Sequence, residues 1–381
     1  GDITDDLHWE AAANINRATL YYTNPGVLVT SALNEALQNG QINPFAIVQS
    51  AGAFDGVVGT AFVNELSTLN TFDFKITGTP FELPAGKLGF AVGASYMRET
   101  LSANPDSGSL PNSSGTTAGW SNATTFQAFN AERDAKSGFG EISVPITSAK
   151  QAIPGAYAIN TDFALRYDKY NGKVGSSTTP QVNLSWEPVD DQFKVRASWG
   201  KSFIAPQLSE LYGPVSSGSS DSINYTTLGG VAKKNVQFNS TGGSNPDLKP
   251  TTAKSWSAGF VYTPKAIKGL SVTVDYSQIK QDAVISNVPQ GTIIQDVETN
   301  GTASPYADLI RYNSPTGGMV TGPGGISNHS NQSIFIINNL VNLAGTKVNS
   351  TDINVDYKWS TTSAGRFEVN STWTWYNNYK I

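Results

Sequence analysis

The side chains best suited to catalysis or metal binding are scarce in this chain. Its 381 residues include no cysteine and two histidines, His8 and His329. This composition predicts no metal site, because zinc and similar ions need several thiolate or imidazole ligands. The triplet Asn328-His329-Ser330 places a base beside a hydroxyl group, as acyl-transfer chemistry requires. Residues adjacent in sequence seldom adopt the geometry of a nucleophile and its base, so we expect no enzymatic activity and no cofactor.

The overall composition indicates strands joined by many loops. Charged residues make up 14% of the chain, against about 25% in an average globular protein. The chain has 36 Gly and 19 Pro, and 39% of its residues are hydrophobic, which is too apolar for a disordered protein. Its net charge is -5, and no run of Lys or Arg supplies the cationic surface that phosphate binding needs. Nucleic acid is therefore excluded as a partner.

Apolar and polar residues alternate with a period of two along much of the chain. Between Asp352 and Trp359 the two types alternate at every position, and segments 270–277 and 366–375 follow the same pattern. This pattern predicts β-strands with one apolar and one polar face. We predict roughly eleven strands. They lie near residues 7–21, 70–78, 87–99, 137–145, 157–168, 179–187, 192–202, 251–263, 270–282, 346–359 and 366–377.

The length of the strands and the rhythm of their connections favour a membrane barrel. A tilted strand that crosses a bilayer needs about 9 to 11 residues, whereas strands of soluble proteins average about 5 to 6. Short periplasmic turns alternate with long extracellular loops in outer-membrane barrels. The short connections are 79–86, 188–191, 264–269 and 360–365, and the long ones are 100–136, 203–250 and 283–345. We therefore predict an all-β fold, a transmembrane antiparallel β-barrel in the bacterial outer membrane.

The two faces of the predicted strands differ in chemistry. Trp186, Tyr262 and Trp359 fall near the periplasmic ends, and Trp199, Trp256, Trp373 and Trp375 fall toward the extracellular ends. Aromatic girdles at both membrane interfaces would have this arrangement. The alternative is the core of a soluble sandwich, but the charged opposite face disfavours a packed core. We assign that face to a polar lumen wall, with the charged candidates Asp162, Arg166, Asp168, Glu187, Lys194, Arg196, Asp275, Asp352, Asp356, Lys358, Arg366 and Glu368.

Several segments resemble one known family, the TonB-dependent outer-membrane receptors. The segments that carry the resemblance are GEISVPI from Gly140, ALRYDKY from Ala164, VRASWGKSFIAPQLSELYGP from Val195, NPDLKPTTAKSWSAGF from Asn245 and GLSVTVDYSQIKQDAVI from Gly269. The resemblance is strong over residues 137–286 and looser elsewhere.

The resemblance implies a transport function. Family members fill a barrel of about 22 strands with an amino-terminal plug. They bind a ligand on the outer face, and TonB, working with ExbB and ExbD, pulls on the plug. We expect residues 1–381 to be part of such a barrel, with the plug and some strands outside this chain. The resemblance further implies outer-membrane lipid as the surroundings and a surface lipoprotein as an additional partner.

The long loops are the predicted place of ligand recognition. Loops carry aromatic and amide groups that are free of the lipid constraint. The loop candidates are Trp120, Phe126, Phe129, Tyr212, Tyr225, Tyr306, Arg311, Tyr312 and His329. The cargo stays open among a siderophore, a vitamin such as cobalamin, an oligosaccharide and a peptide. The alternatives to active transport are a passive porin and a secreted β-rich surface binding protein.

One of the loops is predicted to contain a helix. Segment Ser31–Asn39 predicts a short loop helix.

Overall fold

The computed structural model describes residues 1–112, 118–121, 123, 125–320, 322–343 and 345–380. Its three α-helices are α1 (Thr30–Gln38), α2 (Leu208–Tyr212) and α3 (Gln290–Asn300). Its strands are β1 (Asp2–Thr4), β2 (Leu7–Leu28), β3 (Val58–Leu83), β4 (Gly86–Pro105), β5 (Phe129–Thr147), β6 (Ala158–Tyr170), β7 (Ser176–Glu187), β8 (Phe193–Ile204), β9 (Ser216–Ser219), β10 (Ile223–Thr226), β11 (Ala232–Val236), β12 (Asn239–Gly242), β13 (Thr251–Tyr262), β14 (Leu270–Asp282), β15 (Val284–Ser286), β16 (Ile310–Tyr312), β17 (Ile334–Ile337), β18 (Val341–Leu343), β19 (Lys347–Thr361) and β20 (Gly365–Lys380).

One large antiparallel sheet contains every strand predicted from the sequence. It has 12 strands in the order β1-β2-β3-β4-β5-β6-β7-β8-β13-β14-β19-β20, so the long strands pair in chain order. The predicted all-β fold is therefore confirmed. Strand β3 begins at residue 58, well before the predicted start at 70. The period of two is weaker there because Ala61 and Val63, on the face of β3 that is polar further along, are apolar and buried.

The connections lie at two opposite ends of this sheet and differ in length, as predicted. At one end they are 84–85, 148–157, 188–192, 263–269 and 362–364, and at the other they are 29–57, 106–128, 171–175, 205–250 and 283–346. Segment 171–175 is the exception, because it is a short turn at the end that carries the long loops. The predicted loop helix is confirmed as α1, which is followed by Gly40 with φ +73°.

The register confirms that the tryptophans share a face of the sheet. Trp256 lies opposite Trp199, and Trp359 lies opposite Phe367 with their rings stacked 5.3 Å apart. The side chains of Trp199 and Trp256 are 42% and 39% exposed. Exposure of this size excludes the sandwich-core interpretation, because core tryptophans are largely covered.

A glycine in β13 lets two charged side chains meet across the opposite face. Arg196 of β8, Gly259 of β13 and Asp275 of β14 form one row across three adjacent strands. The Arg196 guanidinium donates to both carboxylate oxygens of Asp275, with Nε 2.9 Å from Oδ1. A Cβ on Gly259 would lie 2.1 Å from Asp275 Oδ1. The bare backbone of Gly259 is therefore what allows this ion pair to bridge two strands that are not neighbours.

The largest buried apolar cluster lies in the long loops and not in the sheet. We call this cluster the loop core. It is formed by Ile223, Tyr225, Val288, Ile293, Ile294, Val297, Ile310, Tyr312, Val320, Ile326, Ile334 and Ile336. These residues come from loops 205–250 and 283–346, so the two longest loops fold together as one unit. Within the described residues, no helix is long and apolar enough to cross a membrane.

One buried carboxylate, Glu298 of α3, joins the parts of the loop core. It is fully buried, and its oxygens accept hydrogen bonds from the backbone N–H groups of Leu228 at 2.8 Å and of Ile326 and Ser327 at 2.9 Å. The Ser327 hydroxyl donates a fourth bond at 2.6 Å. Burial alone would raise the pKa of the Glu298 carboxyl, but these hydrogen bonds outweigh it and lower the pKa below its ordinary value.

The substitution Gly259→Ala tests the bridging ion pair. The new Cβ would also lie 2.3 Å from the backbone oxygen of Val274, so β13 and β14 must separate locally. We expect a loss of about 1 to 3 kcal/mol in the free energy of unfolding, measured by denaturant titration in detergent. Gly140→Ala in β5 is the control, because a Cβ there meets nothing within 4 Å. Equal stability of the two variants would contradict the role of Gly259.

The substitution Glu298→Gln tests the loop core. An amide would turn its NH₂ group toward backbone donors, so we expect the loop core to lose about 2 to 3 kcal/mol of stability. Faster hydrogen exchange at the amides of Ile326 and Ser327 would report it, with exposed Asp308→Asn as the control.

Because the folded pKa is lowered, the stabilisation by Glu298 is complete above the ordinary carboxyl pKa and disappears as the pH falls through the folded value. If the difference in exchange rate between the wild-type protein and Glu298→Gln did not change with pH, this assignment would be wrong.

Candidate functional site

A cavity of about 1030 Å³ lies where the long loops meet the sheet. It is lined by strand residues, by both of the longest loops and by loop 106–128. Its size is at the upper end of the usual range for small-molecule sites. The lining residues are Glu65, Leu101, Phe126, Phe129, Ser209, Glu210, Gly213, Pro214, Ser217, Gly218, Ser219, Asp221, Ser240, Gly242, Gly243, Ser244, Asn287, Val288, Pro289, Gln290, Asn338 and Leu340. We call it the loop cavity.

The sheet contributes one wall of the loop cavity through a single row of residues. Phe129 of β5 pairs with Ala103 of β4, which pairs with Glu65 of β3. Leu101 lies two residues from Ala103 and so shares its face. The loops fold over the same face, since the buried guanidinium of Arg133 in β5 donates to the backbone oxygen of Pro206. Phe129, four residues before Arg133, faces the same way.

An aspartate at the end of β4 organises loop 106–128. The Asp106 carboxylate accepts hydrogen bonds from Phe62 N at 2.7 Å and from the indole Nε1 of Trp120 at 2.9 Å. The backbone N–H and the hydroxyl of Ser109 donate two more. Burial alone would raise the pKa of Asp106, but these bonds outweigh it and lower the pKa. Trp120 thus anchors the loop, while Phe126 of the same loop lines the cavity.

Two of the nine predicted ligand candidates, Phe126 and Phe129, line the loop cavity. The prediction that Phe129 lies in a loop is wrong, because it is the first residue of β5, which begins before the predicted start at 137. Tyr225 and Tyr312 are buried in the loop core, and Tyr306 packs against it. The Tyr312 hydroxyl donates to the backbone oxygen of Gly325, and burial raises its pKa to about 12.

Three further candidates also lie away from the loop cavity. The ring of His329 stacks on that of Tyr312, 3.9 Å away. Arg311 donates to the backbone oxygens of Asp308 and Ile310, at 2.6 and 2.9 Å. Tyr212 is exposed, with its hydroxyl near Gly172. None of these residues belongs to the described lining of the cavity.

The triplet Asn328-His329-Ser330 forms no nucleophile–base pair within the described residues. His329 Nδ1 lies 3.1 Å from the backbone oxygen of Gly325, and Asn328 Nδ2 donates to Pro323 O at 3.1 Å. Both contacts connect the triplet to its own loop. The described part of the chain also contains no group of three or more His, Cys, Asp and Glu side chains that could hold a metal ion.

The sequence interpretation missed the polar lining of the loop cavity. Its three carboxylates are Glu65, Glu210 and Asp221, and no Lys, Arg or His lies among the described lining residues. Asn338 is 8% exposed, and no hydrogen-bond partner of its Oδ1 is found in the part of the chain that the structure describes. Glu65 could have been recognised as a residue on the polar face of a strand. It was missed because the predicted strand begins at residue 70, after Glu65.

The charged residues predicted for the lumen wall lie on one face of the sheet and are mostly paired. Arg166 donates to Asp168 at 2.9 Å, and Asp356 accepts from Asn370. Arg366 lines a smaller cavity at the end of the sheet that carries the short turns. Two further ion pairs lie on this face: Glu187 with Lys194 at 2.9 Å and Glu368 with Lys358 at 2.8 Å.

The chain matches a family model described as TonB dependent receptor-like, beta-barrel, over residues 1–380. It is similar to three solved structures. The siderophore receptor PirA from Acinetobacter baumannii is 17% identical with a TM-score of 0.52, covering 83% of this chain and 41% of that one. A variant of the ferric enterobactin receptor PfeA from Pseudomonas aeruginosa is 14% identical with a TM-score of 0.56, covering 97% and 41%. The RagAB peptide transporter is 13% identical with a TM-score of 0.53, covering 98% and 34%.

These structures share the fold with this chain. The chain spans less than half the length of each of them. The family model, by contrast, matches nearly every residue. The alternating sheet, the long loops at one end and this match agree with the resemblance found in the sequence. The chain belongs to the TonB-dependent receptor family and carries its β-barrel region.

Proposed function

We propose that this chain is part of an outer-membrane receptor that binds a scarce nutrient at its extracellular loops and imports it with energy supplied through TonB. The observation that carries the proposal is the loop cavity, which is lined by three long loops at one end of the sheet. Family membership supplies the expectation of transport. A cavity open to the outside and bounded by a polar wall suits capture of a ligand followed by passage along that wall.

The chemistry of the sheet supports a position in the outer membrane. Val274 of β14 lies opposite Phe260 and Ile353, and these three residues share the face of the exposed tryptophans. The neighbouring Thr273 lies opposite Asn354, on the face of the ion pairs. An apolar face against lipid and a polar face against a lumen would require this division.

The free edges of the sheet support a larger barrel. Among the described residues, β20 pairs only with β19, and most of β2 pairs only with β3. Each unsatisfied backbone group in lipid costs several kcal/mol, so both edges require partner strands. We propose that further strands of the same receptor close the barrel around a plug. TonB, with ExbB and ExbD, would act on that plug, and a surface lipoprotein would be a further partner at the loops.

A matched pair of substitutions tests the assignment of the two faces. We expect Val274→Arg to cost about 2 to 4 kcal/mol, because a charge near the middle of the lipid face loses its hydration. Thr273→Arg should assemble normally, since its side chain faces the proposed lumen. The amount of each variant that is folded in isolated outer membranes measures the difference. If both variants assemble equally well, Val274 does not face lipid.

An uptake experiment tests the energy coupling. Cells that carry the full receptor would be given radiolabelled siderophore, cobalamin, oligosaccharide and peptide, with and without a protonophore. We expect accumulation of one ligand against its gradient, abolished by the protonophore or by loss of TonB. Uptake that equilibrates and ignores the protonophore would instead identify a passive porin.

A further inference from the structure

The loop cavity has the electrostatic character of a site for a cation. Glu65, Glu210 and Asp221 contribute three carboxylates, and the described lining contains no basic side chain. Glu210 accepts a hydrogen bond from the backbone N–H of Gln207 at 2.6 Å, while no hydrogen bond to the carboxylates of Glu65 and Asp221 is found in the described residues. Charges of one sign that line a cleft concentrate ligands of the opposite sign and repel polyanions.

One side of the loop cavity is a β-strand edge that has no partner strand among the described residues. The four-stranded sheet of the loops has the order β16-β17-β12-β9, so β9 is an edge strand. Ser217, Gly218 and Ser219 of β9 all line the cavity. An unpaired edge presents N–H and C=O groups to which an extended peptide can add as another strand.

The hydrogen bonds at the end of β9 indicate which of its backbone groups are free. Ser220 donates its N–H to the backbone oxygen of Phe238 at 2.8 Å, on the side of β12. The next residue, Asp221, donates its N–H to Gln290 Oε1. Because backbone groups alternate in direction along a strand, those of Ser217 and Ser219 point away from β12.

Two local features leave room and a binding group for a ligand beside β9. A Cβ added to Gly218 would meet nothing within 4 Å, so the space over the face of β9 at this residue is open for ligand side chains. Asn338 is more than nine-tenths buried and lines the same cavity, and its Oδ1 has no partner among the described residues. A buried acceptor without a donor is costly, so a ligand that draws this amide toward the cavity and donates an N–H to it would be stabilised.

We propose that the ligand of the loop cavity is a short extended peptide with basic side chains, which adds to the free edge of β9. Its backbone would pair with Ser217 and Ser219, and its basic groups would face Glu65 and Asp221. The rings of Phe126 and Phe129 would contact its apolar side chains. This inference rests on the proposed transport function and names the class of its substrate.

Calorimetric titration of the full receptor in detergent tests the inference with three synthetic peptides. The first is Lys-Val-Lys-Val-Lys-Val, the second has Glu in place of Lys, and the third is the first with every backbone nitrogen methylated. We expect the basic peptide to bind at least about tenfold more tightly than the acidic one at low salt. The methylated peptide keeps the charge but has no N–H to donate, so its affinity should also fall at least about tenfold.

Protein variants separate the loop cavity from the general charge of the loops. The double substitution of Glu65→Gln with Asp221→Asn should weaken the basic peptide about tenfold. Asp308→Asn, which removes an exposed loop carboxylate outside the cavity, should leave its affinity unchanged. Equal binding of the acidic peptide, or an equal effect of the double variant and Asp308→Asn, would overturn the proposal.

The uptake experiment keeps failure of this inference distinct from failure of the proposed function. Protonophore-sensitive uptake of another ligand, with no binding of the basic peptide, would overturn the peptide site and leave transport standing. Binding of the basic peptide without any uptake would support the site and overturn import.

Discussion

The backbone N–H and C=O groups of the long strands need hydrogen-bond partners on both sides, and this need organises the chain. From β2 to β20 each long strand of the large sheet pairs antiparallel with the next one along the chain. Main-chain bonds therefore hold the sheet together without a packed interior. The side chains can then divide by face, with Trp199 and Trp256 on one and Arg196 and Asp275 on the other. The sheet is a wall with two different surfaces, which suits a boundary between lipid and water.

Because the wall has no interior of its own, close packing is concentrated in the loops. The loop core joins segments more than 100 residues apart in sequence, such as those of Ile223 and Ile336. Glu298 connects these segments because it accepts hydrogen bonds from the backbone N–H groups of Leu228 and Ile326. A surface carboxylate would accept hydrogen bonds from water instead. A rigid loop unit anchored in this way can hold β9 and Asn338 at fixed positions around the loop cavity. The proposed recognition surface thus depends on a core that the large sheet does not supply.

Glycine has a specific use in the wall. At Gly259 the absence of a side chain permits Arg196 to reach a carboxylate two strands away. At Gly93 the ring of Phe139 lies over the bare backbone, 2.6 Å from where a Cβ would be. Both arrangements occur on the polar face, where long side chains lie flat across neighbouring strands. The glycines therefore increase contact between strands in a structure with little other side-chain packing.

The sequence by itself determined the strands, their faces and the family. The period of two of a strand is a property of consecutive residues, as in Asp352–Trp359. It can therefore be recognised without knowledge of contacts that are distant in the sequence. The start of β3 was missed because Ala61 and Val63 are buried apolar residues on the face of β3 that is polar further along, so the period of two is weaker there.

Only the tertiary structure decided which loop residues meet. Tyr225 and Tyr312 have the same side-chain chemistry as an exposed ligand contact, yet they lie in the loop core. Glu65 and Asn338, which are far apart in the chain, line one cavity. Such encounters depend on how two long loops fold against each other, and loop sequences carry no periodicity that encodes this packing.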